Sequence, residues 1–136
     1  MKRLSLLLVM IFIVCMSWAA IGEFYSFNAT TGTYTPITGT ALASASDDDA
    51  ISEAFPLGFT FNYGDVAYTD IKVCSNGWID LTGASTSTSY TNALASTTLR
   101  PVIAPLWDDL SLAAGSASYL LSGTAPNRVM TVQWEN

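Results

Sequence analysis

The chain contains no histidine. A serine nucleophile therefore lacks its usual imidazole base, and the common zinc sites lose their nitrogen ligands. Cysteine is nearly as scarce. Cys15 lies in an N-terminal apolar run, and Cys74 stands alone in the body of the chain. No disulfide can staple the body to itself, so the core must hold by burial. Cys74 reads as a small buried hydrophobe on a strand. A Gly-rich phosphate loop is missing, as are long helical periodicity and internal repeats.

Positive charge is also short. Five Lys and Arg stand against eleven Asp and Glu. Two of the five, Lys2 and Arg3, precede the apolar run Leu6 to Met16, which ends at Ser17-Trp18-Ala19. A basic start, an apolar stretch and a small-x-small site are the three parts of a secretory signal peptide. The run is short for a membrane-spanning helix, which needs about 20 residues. An uncleaved N-terminal anchor is the alternative. A lipoprotein is disfavoured, because Val14 before Cys15 is not small. The expected layout is a signal peptide over 1–19 and one domain over 20–136.

After cleavage only Lys72, Arg100 and Arg128 face the eleven acids, a net charge of −8. Such a surface repels phosphate backbones and anionic membranes, which argues against nucleic-acid and membrane partners. It suits solubility and divalent cations.

What the body does contain is alternation of period two. Phe24 to Phe27 and Thr33 to Ile37 read as short strands, with Pro36 marking an edge. Leu57 to Tyr63 puts Phe59, Phe61 and Tyr63 on one face, and Asn62 to Asp65 turns the chain. Val66 to Cys74 should point Ile71 and Val73 inward. Ser75-Asn76-Gly77 then reverses the chain into Trp78 to Leu81. Asn-Gly predicts a type I′ hairpin turn. Nine of the sixteen residues from Gly83 to Thr98 are Ser or Thr. This stretch reads as a long exposed loop, with room for one helical turn at Asn92 to Ala95. Val102 to Leu106 is a buried strand. Ser118 to Leu121 and Val129 to Trp134 form a second hairpin. Eight to ten short strands of this kind predict an all-β, antiparallel β-sandwich, with a small barrel as runner-up. The last strand ends two residues from Asn136, so the sandwich is expected to be incomplete at its C-terminus.

Candidate chemistry is sparse. Asp47, Asp48 and Asp49 lie in one loop, and Asp108 and Asp109 in another. If the loops meet, their oxygens could hold Ca²⁺, which takes six to eight such ligands. Solvated loop charges are the plainer reading. Calcium is the one cofactor these residues suggest. Trp78, Trp107 and Trp134 could stack on sugars, Trp78 and Trp107 being the named candidates, although core and rim packing explains them as well. Asp108 or Asp109 with Glu53 could be drawn as a glycosidase pair. Any chain this acidic offers such pairs, and no catalytic residue is assigned. Asn28-Ala29-Thr30 fits the N-glycosylation pattern.

Four longer tracts are distinctive in combination: Ala54 to Gly64 (AFPLGFTFNYG), Cys74 to Ile79 (CSNGWI), Ile103 to Leu110 (IAPLWDDL) and Gly123 to Arg128 (GTAPNR). In this order they resemble an all-β module found near the N-terminus of large secreted multidomain proteins of Bacteroidetes-type bacteria. The Ile103 to Leu110 tract is also distantly similar to the extracellular nidogen-type domain. The resemblance spans Phe24 to Asn136. It implies secretion or cell-surface location, a β-sandwich, and a non-catalytic role in adhesion or domain presentation. Surface glycans or other extracellular proteins are the implied partners, and further domains are expected downstream. A carbohydrate-binding module, calcium-dependent or not, is the second reading, and a glycosidase-type fragment the third. The same motifs also serve folding alone: Pro56-Leu57-Gly58 starts a strand, and Ala125-Pro126-Asn127 makes a turn.

Overall fold

Phe55, Leu57, Phe59, Phe61 and Tyr63 share one face of a nine-residue strand, and that face turns inward. In the computed structural model, which describes Ser26, 28–93, Ala95 and 97–136, this strand begins the first of two sheets. Tyr34–Asn136 forms one compact unit and Met1–Thr33 another. In the latter, Ser26 and 28–33 are exposed and irregular. The segment expected to be a signal peptide and the strand expected from Phe24 to Phe27 lie outside the described residues, apart from Ser26.

Seven strands run in chain order among the described residues: β1 (Thr40–Ala41), β2 (Phe55–Tyr63), β3 (Val66–Cys74), β4 (Trp78–Asp80), β5 (Val102–Ile103), β6 (Ser116–Ser122) and β7 (Val129–Glu135). One sheet has the order β2-β3-β4-β5 and the other β1-β6-β7. All pairings are antiparallel. The two sheets pack against each other, so the fold is the expected all-β sandwich.

Local chemistry sets each turn. Gly64 takes φ +61° at the first position of the two-residue turn that pairs Tyr63 with Val66, as a II′ hairpin requires. Between Pro56 and Phe61 the β2–β3 register slips. Gly58 lies in that bulge at φ +75°, and a Cβ there would run into the Leu121 side chain. The tract expected only to start a strand therefore also bends one. β2 is an edge strand, which is why it tolerates Pro56.

The β3–β4 turn differs from the expected type I′. Asn76 is not at positive φ; Gly77 alone is, at +76°. Cys74 pairs with Trp78 across a three-residue loop, and the Gly77 N–H donates to the Cys74 carbonyl at 3.2 Å. This is a type I turn followed by a left-handed glycine. The extra residue lets the Asn76 side chain turn inward.

Three other expectations change. Residues 34–37 form no strand: Pro36 offers no N–H, and the Ile37 N–H donates to Gln133 Oε1 at 2.8 Å instead of to a ladder. The strand expected through Leu106 stops at Ile103, because the chain leaves the sheet and the Leu106 N–H reaches the Gly77 carbonyl at 3.4 Å. Asn92, Ala93 and Ala95 show no helix, and Leu94 lies outside the described residues.

The main core joins Phe55, Leu57, Ile71, Val73 and Leu81 of one layer to Leu42, Ala45, Leu112 and Ala117 of the other. A stacked pair, Phe55 and Tyr119 with centroids 4.3 Å apart, bridges β2 and β6. A second cluster of Cys74, Trp78, Leu99 and Trp107 gathers around the β3–β4 turn. Truncating Phe55 to Ala removes both burial and the inter-sheet stack. It is expected to cost about 3–5 kcal/mol, read as a lower urea midpoint at unchanged slope, with Phe55→Leu losing less.

Candidate functional site

At the β3–β4 turn the chain buries an amide. Asn76 is 0% exposed. Its Nδ2 donates to Asp49 Oδ1 at 2.8 Å and to the Thr88 carbonyl at 2.9 Å. Its Oδ1 accepts from the Leu110 N–H at 2.8 Å, and its own carbonyl accepts from the Asp108 N–H at 3.4 Å. One side chain thus ties the 47–49 loop, the Ser/Thr-rich loop and the 106–110 segment to a single corner. Both donors and the acceptor of the amide are satisfied, as burial demands.

The two acidic loops therefore do meet, but not as a cation cage. Asp49 is spent on Asn76 and holds φ +44°, the one positive φ outside glycine among the described residues. Asp47 Oδ1 accepts from the Asp48 N–H at 2.8 Å, and Asp108 Oδ1 from the Asp109 N–H at 2.9 Å. These are local turn caps. The loops join through backbone, with Asp48 bridged to Ser111 and the Leu112 N–H on the Asp47 carbonyl at 3.3 Å. Among the described residues no three His, Cys, Asp or Glu side chains gather closely enough to hold a metal. The Asn76 amide draws the two acidic loops together by bonding Asp49 and the Leu110 N–H. Glu53, Asp108 and Asp109 are all exposed.

The tryptophans correct the stacking-platform expectation. Trp78 is 0% and Trp107 6% exposed. Their rings pack on each other at 6.0 Å and 50°, so neither offers a free face to a sugar. Both indole N–H groups donate to one acceptor, the Ser89 carbonyl, at 3.0 Å and 2.9 Å. The two lone pairs of a carbonyl allow this sharing. Asn92 Nδ2 adds a 3.3 Å bond to the Trp107 carbonyl.

The start of the same loop is held by Asp80, a buried acid that the sequence reading passed over. Its carboxylate accepts from the Thr82 N–H and hydroxyl, the Ala84 N–H and the Ser85 N–H, at 2.8–3.0 Å. Lys72 Nζ donates to the Ser85 carbonyl at 3.1 Å. The signal was present as Asp-x-Thr at a strand end, the pattern in which a side-chain carboxylate replaces ladder partners. The stretch read as a long exposed loop is exposed to half-buried, and it is pinned as a strap at residues 80–85 and again at 88–89.

Cys74 is fully buried beside Asn76 at the β3–β4 turn. Desolvation pushes its thiol up to about 11. At neutral pH it is therefore protonated and a poor nucleophile. Trp134 Nε1 donates to its carbonyl at 2.8 Å, tying β7 to the turn.

An apolar cleft remains between the sheets, with a cavity of about 220 Å³. Leu57, Phe59, Ile79 and Ile103 line one wall, and Met130 and Val132 the other. Among the described strands β5 pairs only with β4 and β7 only with β6, so each presents a free edge.

The class that this fold and corner define is an all-β sandwich whose polar and aromatic motifs lock its own loops. A family model described as NIDO related matches residues 24–136, and the chain belongs to that nidogen-related family. This agrees with the distant nidogen likeness of the Ile103 to Leu110 tract and with an extracellular setting. No curated protein and no solved structure matches the chain. No helix among the described residues is long and apolar enough to cross a membrane.

Two outcomes are expected. Asp80→Ala leaves the Thr82 and Ser85 N–H groups without their partner, while the Ala84 N–H keeps Thr82 Oγ1 at 3.1 Å; it should cost about 1–2 kcal/mol, with faster amide exchange confined to residues 82–85. The pH response follows from Cys74. Its thiol ionises near 9 when unfolded and near 11 when folded, so the native state keeps more protons in that window. Stability is then complete below pH 9 and falls as pH rises from 9 to 11, by about 3 kcal/mol in full. Denaturant titrations of Cys74→Ala should show a shallower alkaline loss than the parent.

Proposed function

We propose that this chain is a non-catalytic extracellular β-module that attaches to other proteins or presents neighbouring domains, as part of a larger secreted or surface protein. The observation that carries this reading is where the reactive groups go. Asn76, Asp49, Asp80, Trp78 and Trp107 all bond or pack within the domain, and Cys74 is buried and protonated. Family membership supports the extracellular setting.

The inter-sheet cleft favours a protein partner over a glycan. A sugar site needs convergent polar groups and an exposed aromatic face. The cleft is walled by aliphatic and aromatic side chains, while the free edge of β7 offers backbone N–H and C=O groups to an added strand. Carbohydrate binding is therefore the second reading, and calcium is not required by the first.

Two measurements test the proposal. A glycan array probed with the purified chain, with and without Ca²⁺, is expected to show no saturable binding. Cells displaying the parent protein should adhere to protein-coated surfaces, and Met130→Ala, which shortens one wall of the cleft without burying a charge, should weaken adhesion. Saturable glycan binding, or turnover of a chromogenic glycoside, would replace this reading with one of its alternatives.

A further inference from the structure

Asn76-Gly77 is the single Asn-Gly pair in the sequence. Such a pair is chemically unstable in a free chain, because glycine lacks the Cβ that would shield its backbone nitrogen. That nitrogen can attack the preceding side-chain amide. Here the pair is held in the buried corner at the β3–β4 turn, and both reacting groups are occupied. The amide nitrogen donates to Asp49 Oδ1 and the Thr88 carbonyl, and the amide oxygen accepts from Leu110. The Gly77 N–H donates to the Cys74 carbonyl. Asn76 has no solvent exposure. Nor can the glycine be exchanged for a safer residue, since Gly77 lies at φ +76° and a Cβ there would run into the Leu106 carbonyl. The fold needs the labile pair and shields it.

We propose that Asn76 is a fold-guarded deamidation site, protected in the native domain and lost irreversibly in the unfolded one. In the unfolded chain the Gly77 nitrogen gives up its proton and bonds to the Asn76 side-chain carbonyl carbon. The bond from that carbon to Nδ2 breaks, and ammonia leaves with the proton. Water then opens the five-membered imide at either carbonyl, leaving Asp or isoaspartate at position 76. The net change is one water consumed and one ammonia released.

Neither product fits the site. An aspartate would set oxygen where Nδ2 stood, facing Asp49 Oδ1 and the Thr88 carbonyl, so acceptors meet acceptors without a donor. Its charge would be buried beside that of Asp49. Isoaspartate would add a backbone methylene to a turn already packed against Leu106. A chain that stays unfolded long enough to deamidate therefore leaves the folding-competent pool.

The experiment compares two incubations of the full chain at pH 8 and 37 °C, one in buffer and one in urea, followed by peptide mass analysis. The peptide holding Asn76 should gain the mass of deamidation in urea, and in buffer do so more slowly by on the order of 100-fold, because only locally opened molecules react. The peptides of Asn28, Asn62, Asn92 and Asn127 serve as internal controls and should stay largely unchanged in both. After dilution from urea, the refolded fraction should contain unmodified Asn76 alone, with modified chains in the unfolded fraction. Asp49→Ala, which removes one lock, should speed the reaction in buffer while leaving the rate in urea unchanged. Equal rates in buffer and urea would overturn the guarding role. Modified chains recovered in the folded fraction would overturn the irreversible loss.

Discussion

A buried side-chain amide with three partners organises this domain. Asn76 sits at the apex of the β3–β4 turn and bonds to three separate segments. Its location follows from one backbone decision: the turn takes three residues rather than two, with Gly77 alone in the left-handed region. That extra residue aims the side chain into the protein. Once inside, the amide cannot be left unpaired without a cost of about 1–3 kcal/mol per group. The three loops that close around it are therefore fixed together or not at all.

The rest of the corner applies the same economy. The two indole N–H groups converge on Ser89, and the Asp80 carboxylate gathers the N–H groups of the strap's first turn. A stretch rich in Ser and Thr has little apolar surface to bury, so its order depends on such polar anchors. Every buried side-chain polar atom among the described residues finds a partner. A site for catalysis or for a ligand ordinarily keeps some polar capacity unspent. The inter-sheet cleft is the contrasting region, apolar and flanked by strand edges, and it fits the proposed binding role.

Period-two patterning made most of the strands legible. Val66 to Cys74 matches β3 at both ends, the inward turn of Ile71 and Val73 holds, and the β6–β7 hairpin differs by a residue or two. Alternation survives in these strands because each has one wet and one dry face. Legibility failed where side chains compete with the ladder. Gln133 takes the N–H of Ile37, and the chain after Ile103 leaves the sheet to close over Gly77. These are contacts between residues far apart in sequence, and no local pattern encodes them.

The acidic loops and tryptophans show the same division. Sequence marked Asp47 to Asp49, Trp78, Trp107, Asp108 and Asp109 as unusual, and the structure does bring them to one corner. Composition and alternation together determined an all-β chain without histidine chemistry or a disulfide within residues 20–136, because those properties depend only on which residues are present and how they alternate. Only the tertiary structure decided that the tryptophans are buried, that Asp49 serves Asn76, and that Asp80 is a hub. Burial and pairing depend on which distant backbone groups would otherwise be left without a partner, and that is settled only when the sheets and loops close together.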